Sequence, residues 1–226
     1  MIQQPPETLD VPDVIPIFPL PKVVLLPGEM LPLQIFEPRY LDMVRDAIAT
    51  HQVIGMVEVE PGFEDQMPES PPVQAVGCLG YIASHEELPD GRYLIFLLGI
   101  QRFTINDELA ATTAYRQVRV DYDSASEEPK EMASIIGLRG ELREMLPGLV
   151  DLDDDARQQF EGHMPEVTDA QLIALASQIL EIDSERKREL LEARSVADRF
   201  VMVYEDLYRH LDKTPGIDHP EPNKLN

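Results

Sequence analysis

Three acidic residues at alternate positions, Asp151, Asp153 and Asp155, open like the ligand run of a calcium-binding loop. Such a loop needs Gly at its sixth position for the sharp turn and a bidentate Glu at its twelfth. Those positions hold Ala156 and Gly162, so the spacing points to a solvated acidic loop that caps a helix start. His85-Glu86-Glu87-Leu88 begins like a zinc-peptidase helix, but Pro89 follows and the second histidine is missing. The five histidines are scattered and suggest no metal cluster. Glu58, Glu60, Glu64, Asp65 and Glu69 offer paired carboxylates of the kind that cleave glycosides. With no Trp and only seven Phe and seven Tyr, the chain has little with which to line a sugar cleft, and the run reads as a solvated loop. No lysine lies in a G-x-x-x-x-G-K-[ST] loop, so nothing cradles a nucleotide phosphate. The lone Cys78 excludes an internal disulfide and a cysteine-based zinc site. It sits in the apolar run 76–82 and reads as a small buried hydrophobe. These residues together predict no catalytic, cofactor-binding or metal site.

Composition narrows the partner instead. The formal charge over 226 residues is −23. Residues 1–123 hold 7 basic and 19 acidic side chains, and residues 124–226 hold 12 and 23, so the acidity is shared and is not a tail. Such a surface repels phosphate, which disfavours nucleic acid and anionic membrane and tolerates basic or unfolded polypeptide. The amino terminus lacks the basic and apolar regions of a signal peptide, and no stretch reaches the roughly 20 apolar residues of a membrane span. A cytoplasmic location is expected. Homodimerisation is left open.

The elements that must position any site divide in two. Residues 1–13 are polar and proline-rich and read as a disordered terminus. Residues 14–123 read as a β-domain. Strands are expected over Ile15–Leu20, Met30–Phe36, Val53–Val59, Val73–Ser84, Arg92–Ile105 and Arg116–Tyr122. Within the fifth, the apolar stretch Tyr93–Leu98 predicts burial on both faces. A helix is expected to start at Pro38, where a missing N–H costs nothing, and to run to about Ala49. Six strands with one early helix suggest a small, partly closed barrel. Residues 124–212 read as an α-helical domain of four helices, with Ser124–Pro129 as linker. Thr168 and Gln171 form a capping box, Ser184 is expected to open a third helix, and Ser195 with Asp198 a fourth. Residues 213–226 read as a flexible tail.

The stretch Ile15–Tyr40, IPIFPLPKVVLLPGEMLPLQIFEPRY, scatters prolines among aliphatics and ends in Phe36-Glu37-Pro38-Arg39-Tyr40. Proline removes a backbone donor and fixes φ, so the stretch reads as short strands at a sheet edge joined at Leu26-Pro27-Gly28. It resembles the opening of the amino-terminal, substrate-binding domain of the Lon protease family, with its "PL-x-I-F-E-P-R-Y" strand end. Leu98-Gly99-Ile100-Gln101-Arg102-Phe103 is similar to that family's "G-x-x-R-F" element. The helices over Leu172–Tyr208 resemble its helical part. The resemblance implies an α+β fold, a PUA-like partly closed β-barrel followed by a C-terminal α-helical bundle. It also implies a non-enzymatic role, because nothing here matches the family's P-loop or its Ser–Lys dyad. The chain looks like a stand-alone form without ATPase and protease domains.

The implied function is polypeptide binding as an adaptor, substrate-recognition or chaperone-like module, with no cofactor. The residues it points to are Pro27, Gly28, Met30, Leu31, Pro32, Leu33, Phe36 and Tyr40. A proline-broken edge strand keeps carbonyls and apolar side chains near the surface, which suits an extended peptide. The same apolar alternation also reports ordinary burial, and Glu37 with Arg39 reads as a pair that steadies the helix start. The alternative is RNA binding, since PUA-like barrels often bind RNA. The scarcity of Lys and Arg in residues 1–123 argues against it.

Overall fold

A computed structural model of the chain describes residues 3–6, 9–122, 133 and 135–213. The β-region runs β1 (Val14–Leu20), β2 (Met30–Ile35), α1 (Pro38–Ala49), β3 (Val53–Val59), β4 (Val73–Glu87), β5 (Tyr93–Glu108) and β6 (Gln117–Tyr122). The helices that follow among the described residues are α2 (Ile136–Met145), α3 (Asp154–His163), α4 (Asp169–Ile179), α5 (Ser184–Glu192) and α6 (Val196–Lys213). No helix among the described residues is long and apolar enough to cross a membrane.

The six strands form one mixed sheet in the order β2-β5-β4-β3-β1-β6. An additional β5–β6 pairing bends the sheet into a partly closed ring. β5 is long enough to serve two neighbours: Tyr93–Leu98 pairs with β2, and Phe103–Glu108 pairs with β6. Register shifts in β4–β5 at Leu79/Gly80 and Ile82/Ser84 mark the bulges that bend these strands. The ring is filled by Ile15, Ile17, Leu79, Tyr81, Phe103 and Val120, with Met30 and Leu98 packed against them. Gly77 leaves room for Phe103, since an added Cβ would stand 2.5 Å from that ring. β2 lies outside the ring, with β5 as its one strand neighbour among the described residues.

Two expectations change here. The stretch Tyr93–Leu98 is buried on one face only, because β2 and the first half of β5 extend past the ring. Tyr93, Ile95 and Leu97 are buried, while Leu94 and Phe96 are 37% and 40% exposed. Residues 9–13, read as disordered, make contacts: Leu9 and Val11 pack on the ring core, and Tyr122 Oη donates to the Pro12 carbonyl. The expected linker Ser124–Pro129 and the tail beyond Lys213 lie outside the described residues.

The chain divides into two compact units that are not contiguous in sequence. Met1–Ser126 is joined by Asp183–Arg194, so α5 belongs with the sheet. Asp183, one residue before the expected Ser184, caps α5 by accepting from the Arg186 amide at 2.9 Å. Leu190 and Leu191 are buried, and Lys187 and Arg188 reach Glu29 and Glu58 at 2.6 and 3.0 Å. The second unit, Glu127–Ile182 with Ser195–Asn226, packs α2, α4 and α6 together. Phe200, Val203, Leu207 and Leu211 form the buried stripe of α6, and Arg139 pairs with Asp169 at 2.5 Å. The Thr168–Gln171 capping box opens α4, and the Ser195 hydroxyl accepts from the Asp198 amide at 3.0 Å at the start of α6.

Candidate functional site

The turn before β2 sets the strand in place. Gly28 has φ +84°, and the Glu29 amide donates to the Leu26 carbonyl at 3.0 Å, a Pro-Gly turn that needs glycine at its third position. Gly28 and Gly99 lock together: the Gly28 amide donates to the Gly99 carbonyl and the Gly99 amide to the Glu29 carbonyl, both at 2.8 Å. A Cβ on Gly99 would stand 2.1 Å from the Leu26 carbonyl oxygen. The Glu29 carboxylate closes the turn by accepting from the Leu26 amide at 3.0 Å and from Lys187 Nζ at 2.6 Å. Pro27 and Gly28 are thus half-buried parts of a structural turn.

From that anchor the register divides β2 between two faces. Leu31, Leu33 and Ile35 stand opposite Leu97, Ile95 and Tyr93, on the covered face. Pro32 and Gln34 stand opposite Phe96 and Leu94, and those in turn opposite Ser84 and Glu86 of β4. Phe36, just past the strand end, is 64% exposed. Pro32, Phe36, Leu94 and Phe96 therefore present apolar groups to solvent beside the free edge of the sheet. Met30, Leu31 and Leu33 are half-buried, and Met30 packs against the ring core.

The free edge is itself partly blunted. Because the Glu29 carbonyl bonds towards β5, alternation turns the backbone groups of Met30, Pro32 and Gln34 away from it. Pro32 has no N–H, so its lack of a donor falls on the open side, where it breaks no ladder bond.

Tyr40 is a core residue. Its ring lies 4.4 Å from that of Phe18, the Arg39 guanidinium stands 4.6 Å above it, and burial pushes its hydroxyl pKa up. Arg39 pairs with Glu37 at 3.0 Å beside the start of α1. The eight residues singled out from sequence thus separate into a turn, three half-buried strand residues, two exposed side chains (Pro32 and Phe36) and one core ring. Leu94 and Phe96 were missed. Their local sequence is uniformly apolar, and only their pairing with β2 shows which of them face out.

One residue in each of the other clusters has a structural partner. Asp153 caps α3 by accepting from the Ala156 amide at 2.8 Å. His85, Glu86 and Glu87 lie in β4, and Glu87 accepts from the Tyr93 hydroxyl at 2.9 Å. Glu58 is held by Arg188, and Cys78 is buried. Arg102 keeps a guanidinium whose pKa is lowered by burial first and by Arg194 second, with Glu192 opposing. A cleft of about 380 Å³ lies beside α1, where the Tyr115 hydroxyl donates to Asp46 at 2.7 Å. Burial and Asp46 push that tyrosine up to about 12.

Residues 14–209 match the family model described as the ATP-dependent protease La (LON) substrate-binding domain. Among curated proteins, the chain is 29% identical over 208 residues to Lon protease 2 of Myxococcus xanthus, covering 88% of this chain and 24% of that protein. It is 25% identical over 210 residues to the Lon protease of Dictyoglomus thermophilum, covering 91% and 26%. The chain thus spans about a quarter of the length of these relatives. Among solved structures, the N-terminal domain of a Mycobacterium avium complex Lon protease superposes with a TM-score of 0.67 at 16% identity, covering 87% of this chain and 99% of that one. The Lon N-terminal domain protein from Xanthomonas campestris superposes with a TM-score of 0.57 at 24% identity, covering 89% and 99%.

Proposed function

The chain belongs to the family of Lon substrate-binding domains, and from that premise we propose that it binds protein substrates as extended segments on the exposed face of β2 and β5. The observation that carries this reading is the pairing of Pro32 with Phe96 and of Gln34 with Leu94 on one solvent-facing sheet surface, with the exposed Phe36 just past the end of β2. Contiguous exposed apolar side chains mark surfaces that take partners. An extended chain matches the period of the sheet, and alternate side chains can seat against alternate positions of β2 and β5. Within these residues the role is binding without chemistry, as a substrate-recognition, adaptor or chaperone-like module. In support, the sequence holds no nucleotide-binding loop, and the carboxylates of Asp153, Glu29 and Glu58 serve separately as helix cap or ion-pair partners.

The test is a titration of the protein into a fluorescently labelled, permanently unfolded polypeptide, followed by anisotropy. Saturable binding that persists at high salt supports the apolar face. Absence of binding overturns the general substrate-recognition reading. Micromolar retention of structured RNA in a low-salt filter assay would favour the PUA-like RNA-binding alternative, against the −23 charge.

A further inference from the structure

We propose that the exposed face of β2 and β5 selects extended segments that combine apolar with cationic side chains. This rests on the reading of that face as a polypeptide-binding surface and adds the chemistry of the preferred segment.

The argument is one of charge complementarity around the apolar group. Glu86 lies directly across from Leu94 on the same face of the sheet, one strand spacing away. It is exposed, and among the described residues no ion pair engages it. Three of the cations close in sequence to the face are held in ion pairs. Arg39 lies 3.0 Å from Glu37, Arg92 lies 2.7 Å from Asp90, and Arg45 lies 3.4 Å from Asp42. A ligand carboxylate would therefore meet Glu86 and find its counter-charges engaged elsewhere. A ligand ammonium or guanidinium would meet an open carboxylate beside an apolar seat.

The wider field has the same sign. The sequence of the sheet-bearing unit, Met1–Ser126 with Asp183–Arg194, contains eleven Lys and Arg against twenty-three Asp and Glu. A field of one sign raises the local concentration of the opposite charge and speeds encounter. The apolar side chains then supply the contact that survives salt, while the carboxylates supply the discrimination that salt screens. Long Lys and Arg side chains suit both parts, because their methylene stems lie along apolar surface while the charged head reaches outward.

The experiment compares three short labelled peptides on the full chain. They carry the same Phe and Leu at alternate positions and Lys, Gln or Glu between them. The lysine peptide is expected to bind on the order of tenfold more tightly than the glutamate peptide at low salt, as a few exposed ion pairs allow. The gap should shrink at high salt and in Glu86→Lys, whose fold is checked by circular dichroism. Equal binding of all three peptides, or tighter binding of the glutamate peptide, overturns this selectivity and leaves the polypeptide-binding reading standing. Failure of all three to bind overturns the polypeptide-binding reading and this inference with it.

Discussion

Lys187 Nζ lies 2.6 Å from Glu29 Oε1, although 158 positions separate them in sequence. Glu29 is 5% exposed and also accepts from the Leu26 amide, so one carboxylate ties helix α5 to the turn that starts β2. Replacing Lys187 by Met removes a cation that pairs with that buried carboxylate. Breaking a buried pair costs roughly 3–5 kcal/mol, and the partial exposure of Lys187 brings the expectation down to about 2–3 kcal/mol. Urea unfolding monitored by circular dichroism measures it. The double variant Glu29→Gln with Lys187→Met should recover part of the loss, because no charge is then stranded.

Gly99→Ala tests the lock between the turn and β5. Its Cβ would stand 2.1 Å from a backbone carbonyl oxygen, which no rotamer change can relieve. The backbone at Leu26 must move, and a loss of about 2 kcal/mol or more is expected. Hydrogen exchange should accelerate at the Gly28 and Gly99 amides. Unchanged exchange and stability would show that the turn yields without cost.

Phe36→Ser and Phe96→Ser separate binding from folding. Phe36 is 64% exposed, so Phe36→Ser should keep stability within about 0.5 kcal/mol of the parent, while Phe96→Ser, at a residue 40% exposed within β5, should cost about 1–2 kcal/mol. Affinity for an unfolded polypeptide should fall by about fivefold or more in each if these rings seat the ligand. Tyr40→Ala should behave oppositely, losing about 3 kcal/mol or more of stability because its ring is buried against Phe18.

Alkaline pH should destabilise the sheet-bearing unit in a defined window. Burial holds the hydroxyls of Tyr115 and Tyr122 neutral up to about 12, against 10 in the unfolded chain. Between these values the folded state binds more protons, so stability is fully present below pH 10 and falls as pH rises towards 12. Tyr122→Phe should flatten that slope, which denaturant titrations at a series of alkaline pH values would measure.

Local signals were legible wherever one short segment decides the outcome. Pro38 starts α1, Thr168 with Gln171 caps α4, and Ser195 with Asp198 opens α6. Each depends on neighbours within a few residues, where backbone sterics and hydrogen bonding act directly. Prolines and Gly28 at set places in the opening motif restrict the backbone to a strand, a turn and an edge strand, and the family and the fold came from the resemblance of that motif.

The candidate site was half legible for the opposite reason. Phe36 and Pro32 stood out as an edge-strand pattern, but so did Tyr40, which is buried against Phe18. Leu94 and Phe96 belong with the exposed pair only because β5 reaches past the ring to pair with β2.

The sequence by itself determined the six strands with their early helix, the acidic surface and the turn that begins β2, since these follow from local conformational preference and from a simple count of charges. The four helices expected after the sheet, by contrast, are five among the described residues, with α3 (Asp154–His163) the addition. Only the tertiary structure decided that α5 joins the sheet-bearing unit and which face of Tyr93–Leu98 meets solvent. Both depend on cross-strand register and on ion pairs between residues far apart in the chain, whose energies exist only once the chain has folded to bring them together.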